Sequence, residues 1–338
     1  MKYLLVSLMF VMLLSFSCKK NNGSSVVNPT DLVVNAIVST DNSGNVSFTA
    51  TAKNAATYEY DFGNGIFQTV SNGAITYKYP SSGNYTVTVK AKSSGGQSIS
   101  KSVNIVVTVA LSLVWSDEFD GSGAPSSSKW GYDLGAGGWG NNEVQNYTNR
   151  TDNASVSNGT LKITLKAESY SGSAYTSARI LTKDKFSFKY GKVEVRAKLP
   201  AGGGTWPAIW MLGSNLATVG WPACGEIDIM EHKGNDVNRI YGTFHHPGHS
   251  GGNADGKTTV ITNATTDFHR YGLEWTASTI KVMVDDVVFY TFPNSASLPF
   301  NQNFFIILNV AMGGTFGGAV DPSFTSAAME VDYVRVYQ

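Results

Sequence analysis

Cysteine is almost missing from this chain: Cys18 and Cys224 are the only two in 338 residues. With one cysteine at the extreme N-terminus and one other, no disulfide framework holds the fold after N-terminal processing, so stability rests on a buried core. Charge is also scarce, at 15 % of residues, and the 25 basic and 25 acidic side chains cancel. Without a basic surplus no nucleic acid is expected as a partner, because phosphates select for lysine and arginine. Helical periodicity is lacking too, since no segment keeps a 3.6-residue apolar stripe beyond about ten residues. What is present instead is 35 glycines, 12 % aromatic residues and many short Val/Ile/Tyr/Thr runs of period two. That composition predicts an all-β protein.

The one long apolar run is N-terminal, "MKYLLVSLMFVMLLSFSC". A single charge at Lys2, an apolar stretch and a small-residue ending have the form of a secretory signal, too short for a spanning helix. The Ser-Phe-Ser-Cys ending resembles a bacterial lipobox, in which Cys18 becomes the acylated first residue; an ordinary cleaved signal is the alternative. This reading gives a lipoprotein signal peptide over 1–17 and an acylated cysteine with a flexible linker over 18–33. It implies membrane attachment through Cys18, on the outer membrane or surface of a bacterial cell envelope. Residues 34–109 alternate in the manner of a small sandwich, with turns rich in Gly, Asn and Ser. "YDFGNG" (60–65), followed by Thr76-Tyr77 and "GNYTV" (83–87), resembles a PKD-type immunoglobulin-like module. Tyr60 and Asn64 stand where that motif usually has Trp and Asp. A spacer role is expected for it.

Residues 110–338 read as one larger β unit, and two stacked sheets of that size offer a broad face for an extended polymer. Its most informative stretch is "WPACGEIDIMEHKG" (221–234). On a strand, Glu226 and Asp228 share a face while Ile227 and Ile229 point to the core. Strict alternation would then bury Glu231, at a high cost for an unpaired carboxylate. A β-bulge near Ile229–Met230 resets the phase and returns Glu231 to the face of Glu226. The two glutamates would be about 13 Å apart at Cα, and their carboxyl groups about 5–7 Å apart after the side chains lean together. That spacing overlaps the roughly 5–5.5 Å of a nucleophile and acid/base pair acting on a sugar's anomeric carbon. With Asp228 between them, the three should titrate as a set. A calcium site or a solvated strand face remains open on spacing alone.

Trp206, Trp210 and Trp221 flank this strand in sequence, and Trp139 and Asn142 come earlier, in "GGWGNNEVQNYT". Indole faces suit the C–H faces of sugar rings, while Asn and Arg bond hydroxyls. Trp115 and Trp275 are expected in the core, and Cys224 is expected to pack there too. "HHPGH" (245–249) lacks the HExxH spacing and clear further ligands, so these are read as loop histidines and not a zinc site. "AGGGT" (201–205) lacks the lysine of a phosphate cradle and reads as a turn.

With "WSDEFDG" (115–121), "WGNNEVQNYT" (139–148), "GTWPAIWMLG" (204–213), "WPACGEIDIMEHKG", "GTFHH" (242–246), "FHRYGLEW" (268–275) and "VDYVRVYQ" (331–338), in that order, the chain resembles glycoside hydrolase family 16. The likeness is to the laminarinase-type β-glucanases. It implies a concanavalin-like jelly-roll sandwich and retaining, endo-acting hydrolysis that needs no cofactor. Glu226 would be the nucleophile, Glu231 the acid/base, and Asp228 an orienting neighbour. Trp206, Trp210, Trp221, Trp139, Arg179, Asn142 and His245 match positions along the glucan cleft. The extra Met230 is the laminarinase-like form, favouring β-1,3-glucan, with mixed β-1,3/1,4-glucan also open. A structural calcium is implied at Glu118, Gly159 and Asp332, mainly through main-chain oxygens. A monomer is expected. The alternatives are a non-catalytic glucan-binding protein on the same fold, or a relative acting on a galactan such as agar or porphyran.

Overall fold

The computed structural model describes residues 27–338. The signal segment and Cys18 lie outside the described residues, as does most of the linker. The chain divides into two compact units, meeting in sequence at Ala110 and Leu111.

The first unit is built from two antiparallel sheets. One joins Thr30–Val38, Asn45–Lys53 and Ala74–Lys78; the other joins Phe67–Val70, Thr57–Asp61, Gly83–Lys92 and Ser98–Val107. Their inward residues, among them Val46, Phe48, Tyr60, Phe62, Tyr79, Val87 and Val89, are fully buried. Tyr60 fills the place of the usual Trp, and its hydroxyl donates to the Gly73 carbonyl at 2.6 Å. Asn64 stays exposed and donates to the Tyr77 hydroxyl at 2.9 Å. The first strand starts at Thr30, inside the stretch expected to be linker. Leu32 and Val34 alternate into the core and draw the chain into the sheet there.

The second unit, Leu111–Gln338, is a two-sheet jelly-roll sandwich. Its ten-stranded sheet centres on the C-terminal strand Ser326–Tyr337, which lies between Thr160–Tyr170 and Gly191–Lys198. The seven-stranded sheet runs Asp255–Val260, Arg239–His245, Glu226–His232, Thr205–Gly213, Phe304–Met312, Arg179–Leu181, Gly131–Asp133. Between the sheets lies one apolar core. From the seven-stranded sheet it takes Ile180, Ile209, Met211, Ile227, Ile229, Met230, Ile306, Leu308 and Val310. Trp275 is buried there as expected, whereas Trp115 packs on its border, only partly covered. The outer face of the same sheet has a smaller apolar floor of Leu181, Leu212, Cys224, Phe305 and Ile307. Phe304–Met312 therefore has every residue buried, because both of its faces are covered. Burial pushes the Cys224 thiol up to about 11, so it packs and is no nucleophile at neutral pH.

Ile227 is completely buried beneath the carboxylate strand. Ile227→Ala should lower the stability of the 111–338 unit by about 2–5 kcal/mol through lost burial and a residual cavity. Urea unfolding followed by tryptophan fluorescence measures it.

Candidate active site

The strand Glu226–His232 carries the extra residue where the spacing predicts it. Against Thr205–Gly213, Met230 pairs with Ile209 and Asp228 with Trp210, leaving Ile229 without a partner. On the other side Glu226, Asp228 and Glu231 pair with His245, Thr243 and Tyr241, two-residue steps of a regular strand. Ile229 and Met230 both enter the core, and the three carboxyl groups stand in one row on the outer face.

Each glutamate is gripped by an indole. Trp221 Nε1 donates to Glu226 at 2.9 Å, and Trp206 Nε1 donates to Glu231 at 3.0 Å. Thr243 Oγ1 gives Glu231 a second donor at 3.2 Å. His245 Nε2 lies 3.2 Å from Asp228 and 3.6 Å from Glu226. The backbone N–H of Gly251 donates to His245 Nδ1 at 3.2 Å. Nδ1 is thus the acceptor, and a neutral ring carries its proton on Nε2, facing the carboxylates.

Burial is the main force on all three acids. It holds Asp228 well above the usual carboxylate range, with the charge of Glu231 adding to it. It raises Glu231 as well, against the opposing donors from Trp206 and Thr243. Glu226 is pushed up to about 8, first by burial and then by the charge of Asp228. A chain of groups at such short range shares its protons, so the row stays partly protonated near neutral pH and an acid remains to donate.

The other cleft positions divide. Trp221 stands half exposed with a free face, 5.8 Å from the His245 ring. Trp206 leans on Phe316. Trp210 is braced from behind: its Nε1 donates to Asn309 at 2.7 Å, Asn309 to the Tyr147 hydroxyl at 3.0 Å, and that hydroxyl to buried Glu143 at 3.2 Å. Arg179 lies 4.6 Å from the Trp210 ring and 5.0 Å from the Trp139 ring, and pairs with Asp133 at 2.9 Å. That guanidinium spaces two indoles, a role its matched position did not suggest. Asn142 is exposed on the outer loop, while its neighbour Asn141 makes the contacts, donating to Glu143 and accepting from the Thr315 N–H.

Thr243, Asn309, Tyr147 and Glu143 escaped the sequence reading. Two signals were present: Asn309 is the lone polar residue in "FFIILNVAM", and Glu143, Gln145 and Tyr147 share a strand-type spacing. The side chains at the expected calcium position are taken. Glu118 accepts from Arg335 at 2.8 and 3.1 Å, and Asp332 pairs with Arg196. Gly159 occupies a turn with φ 71°. The two carboxylates do not fit as ligands, which leaves only main-chain oxygens for an ion there.

A jelly-roll sandwich whose outer face carries a row of three crowded acids, the two outer ones held by indole N–H groups, is the framework of a glycoside hydrolase. The chain belongs to glycosyl hydrolases family 16, whose model matches residues 141–335, and a PKD domain matches residues 31–107. It is 48 % identical over 242 residues to a beta-glucanase of Rhodothermus marinus, covering 67 % of this chain and 85 % of that protein. It is 39 % identical over 264 residues to glucan endo-1,3-beta-glucosidase A1 of Niallia circulans, covering 68 % of this chain but 38 % of that longer protein. The solved laminarinase from Rhodothermus marinus superposes with a TM-score of 0.66 at 47 % identity, covering 68 % of this chain and 98 % of its own.

A carboxyl group whose folded pKa is raised favours folding below its unfolded value near 4, and loses that contribution as pH rises toward the folded value. For Glu226 the window runs from about 4 up to about 8. Glu226→Gln should therefore melt close to wild type at pH 4 and clearly higher at pH 9, a gain of a few kcal/mol at about 1.4 per pKa unit. Calorimetry at the two pH values reads it, and an equal difference at both would refute the assignment.

Proposed function

We propose that this enzyme is an endo-acting, retaining β-1,3-glucan hydrolase that also accepts mixed β-1,3/1,4-glucan. The observation that carries the reading is the single row of Glu226, Asp228 and Glu231, with a Trp N–H on each glutamate. The names of the relatives supply the polymer.

In this mechanism Glu226 attacks the anomeric carbon while Glu231 gives its proton to the leaving oxygen, forming a covalent glycosyl-enzyme. Glu231, now a carboxylate, takes a proton from water, whose oxygen displaces Glu226 with net retention. Asp228 keeps its proton in the resting site. A neutral Asp228 removes one source of repulsion from Glu226 and favours its ionised, nucleophilic form. The His245 Nε2–H points at the same pair of carboxyl groups and steadies the negative charge on Glu226. The free face of Trp221 stacks a sugar ring beside the reacting bond.

Wild type should release reducing ends from laminarin, and Glu226→Ala and Glu231→Ala should each lose at least about a hundredfold in kcat. Azide separates the roles on an activated aryl glycoside: the Glu226 variant should yield the inverted glycosyl azide, the Glu231 variant the retained one. Undiminished activity in both variants would overturn the roles given to the two glutamates, wild type that binds laminarin without releasing reducing ends would be a glucan-binding protein, and turnover of agar or porphyran in place of laminarin would leave a galactanase.

We further place the chain on the bacterial cell envelope, as a monomer anchored by a lipid on Cys18. Palmitate labelling that disappears in Cys18→Ser supports that; labelling that persists refutes it. The calcium implied by the family resemblance would be held by main-chain oxygens at Glu118, Gly159 and Asp332. A melting temperature that is the same in EGTA and in calcium would remove it.

A further inference from the structure

A second cluster of ligating side chains sits at the end of the same sheet, on residues that sugar cleavage does not use. The strand Arg239–His245 ends with His245 turned to the carboxyl row, so the next residue, His246, turns the other way. His246 is 7 % exposed and meets Phe292 and Phe300 edge-on, which fixes its ring. His246 and His249 exchange backbone hydrogen bonds of 2.8 and 2.9 Å across the Pro247–Gly248 turn, and their rings stack at 4.7 Å. Asp255, the first residue of the adjacent strand, puts Oδ2 2.9 Å from His246 Nε2 and 3.0 Å from His249 Nδ1. The three ligand atoms all lie within 4.8 Å of one another.

We propose that His246, His249 and Asp255 bind a zinc-like divalent transition-metal ion that clips the 246–255 loop beside the active site. Two imidazoles and one carboxylate suit zinc, nickel or copper, whereas calcium and magnesium want oxygen alone. A tetrahedral zinc with ligands at about 2.0–2.1 Å has ligand–ligand edges of about 3.3 Å. The observed edges of 2.9 and 3.0 Å need to open by only a few tenths of an ångström. His246 is pinned, while His249 and Asp255 are half and one-third exposed, so an ion enters from the solvent side and keeps water in its remaining position. Each ring ligates as neutral imidazole by carrying its proton on the other nitrogen. The sequence hides this site because its third ligand comes from the following strand. The same loop brings the Gly251 N–H to His245 Nδ1, so closing it also fixes the ring that faces Asp228.

Among the described residues, Glu226, Asp228 and His245 form the other group of comparable spacing, and they belong to the catalytic centre. The test must separate the two, so it uses the full chain carrying Glu226→Gln, stripped with EDTA and dialysed against zinc. Elemental analysis should then find about one zinc per chain, with a raised melting temperature and slowed hydrogen exchange at the Gly251 amide. Adding His249→Ala or Asp255→Asn should weaken zinc binding at least about tenfold, as loss of one of three ligands requires, with circular dichroism unchanged. No retained zinc in the parent, or retention by both variants equal to the parent, overturns the site. None of these readouts depends on glucan cleavage, so the metal site stands or falls apart from the hydrolase reading.

Discussion

The active face depends on one unpaired residue. Ile229 has no partner on the Thr205–Gly213 side, and that excess lets two neighbouring apolar side chains, Ile229 and Met230, enter the core together. Without it, alternation would send Glu231 into the apolar core between the sheets, where burial of an unpaired carboxylate costs on the order of several kcal/mol. With it, Glu231 reaches Trp206 and Thr243, and two apolar side chains fill the core in its place. Core packing and catalytic geometry are therefore two readings of the same register.

Two polar assemblies on this face solve burial in opposite ways. Behind Trp210 and Asn309, the side chains of Tyr147, Gln145 and Asn141 surround Glu143 with donors, Asn309 donates in turn to the Tyr147 hydroxyl, and the chain continues to the Met312 N–H through Gln145. A fully partnered network of this kind is rigid and fixes the ring it supports. In the row of Glu226, Asp228 and Glu231 the acids crowd one another with fewer donors, and Asp228 Oδ2 has only the His245 imidazole near it. The crowding that makes this row costly to ionise is also what keeps a proton available for the leaving oxygen. Arg179 between Trp139 and Trp210 joins the two regions, because one guanidinium stacks on both indoles and pairs with Asp133.

Much of this was legible in the residues. Period two gave the all-β class, and the six-position span from Glu226 to Glu231 gave both the bulge and the shared face, since strand geometry leaves few other ways to keep Glu231 out of the core. The N-terminal strand boundary was harder: "TDLVVNAIV" follows a polar tether, and only packing of Leu32 and Val34 decides that pairing begins at Thr30. Partners brought by distant strands were not legible. Thr243 on Glu231, Asn309 on Trp210 and Asp255 on His246 are contacts between strands whose order in the sheet follows no local signal. Arg179 shows the converse, for its position in the motif was visible while its engagement by two rings and a carboxylate was not.

The two indoles on the glutamates differ in a way that bears on the division of labour. Trp206 is packed by Phe316 and by the chain at Gly317, where even a Cβ would lie 3.2 Å from the Trp206 side chain. Its N–H is a fixed donor, and Glu231 is held from below by Thr243, so the acid keeps its place as its charge changes. Trp221 is 48 % exposed and its donor sits at the solvent edge of the row. A sugar ring stacked on Trp221 would exclude water from that side and strengthen every remaining interaction with the Glu226 carboxylate. The acid/base is thus set by the protein alone, whereas the surroundings of the nucleophile are completed by the substrate.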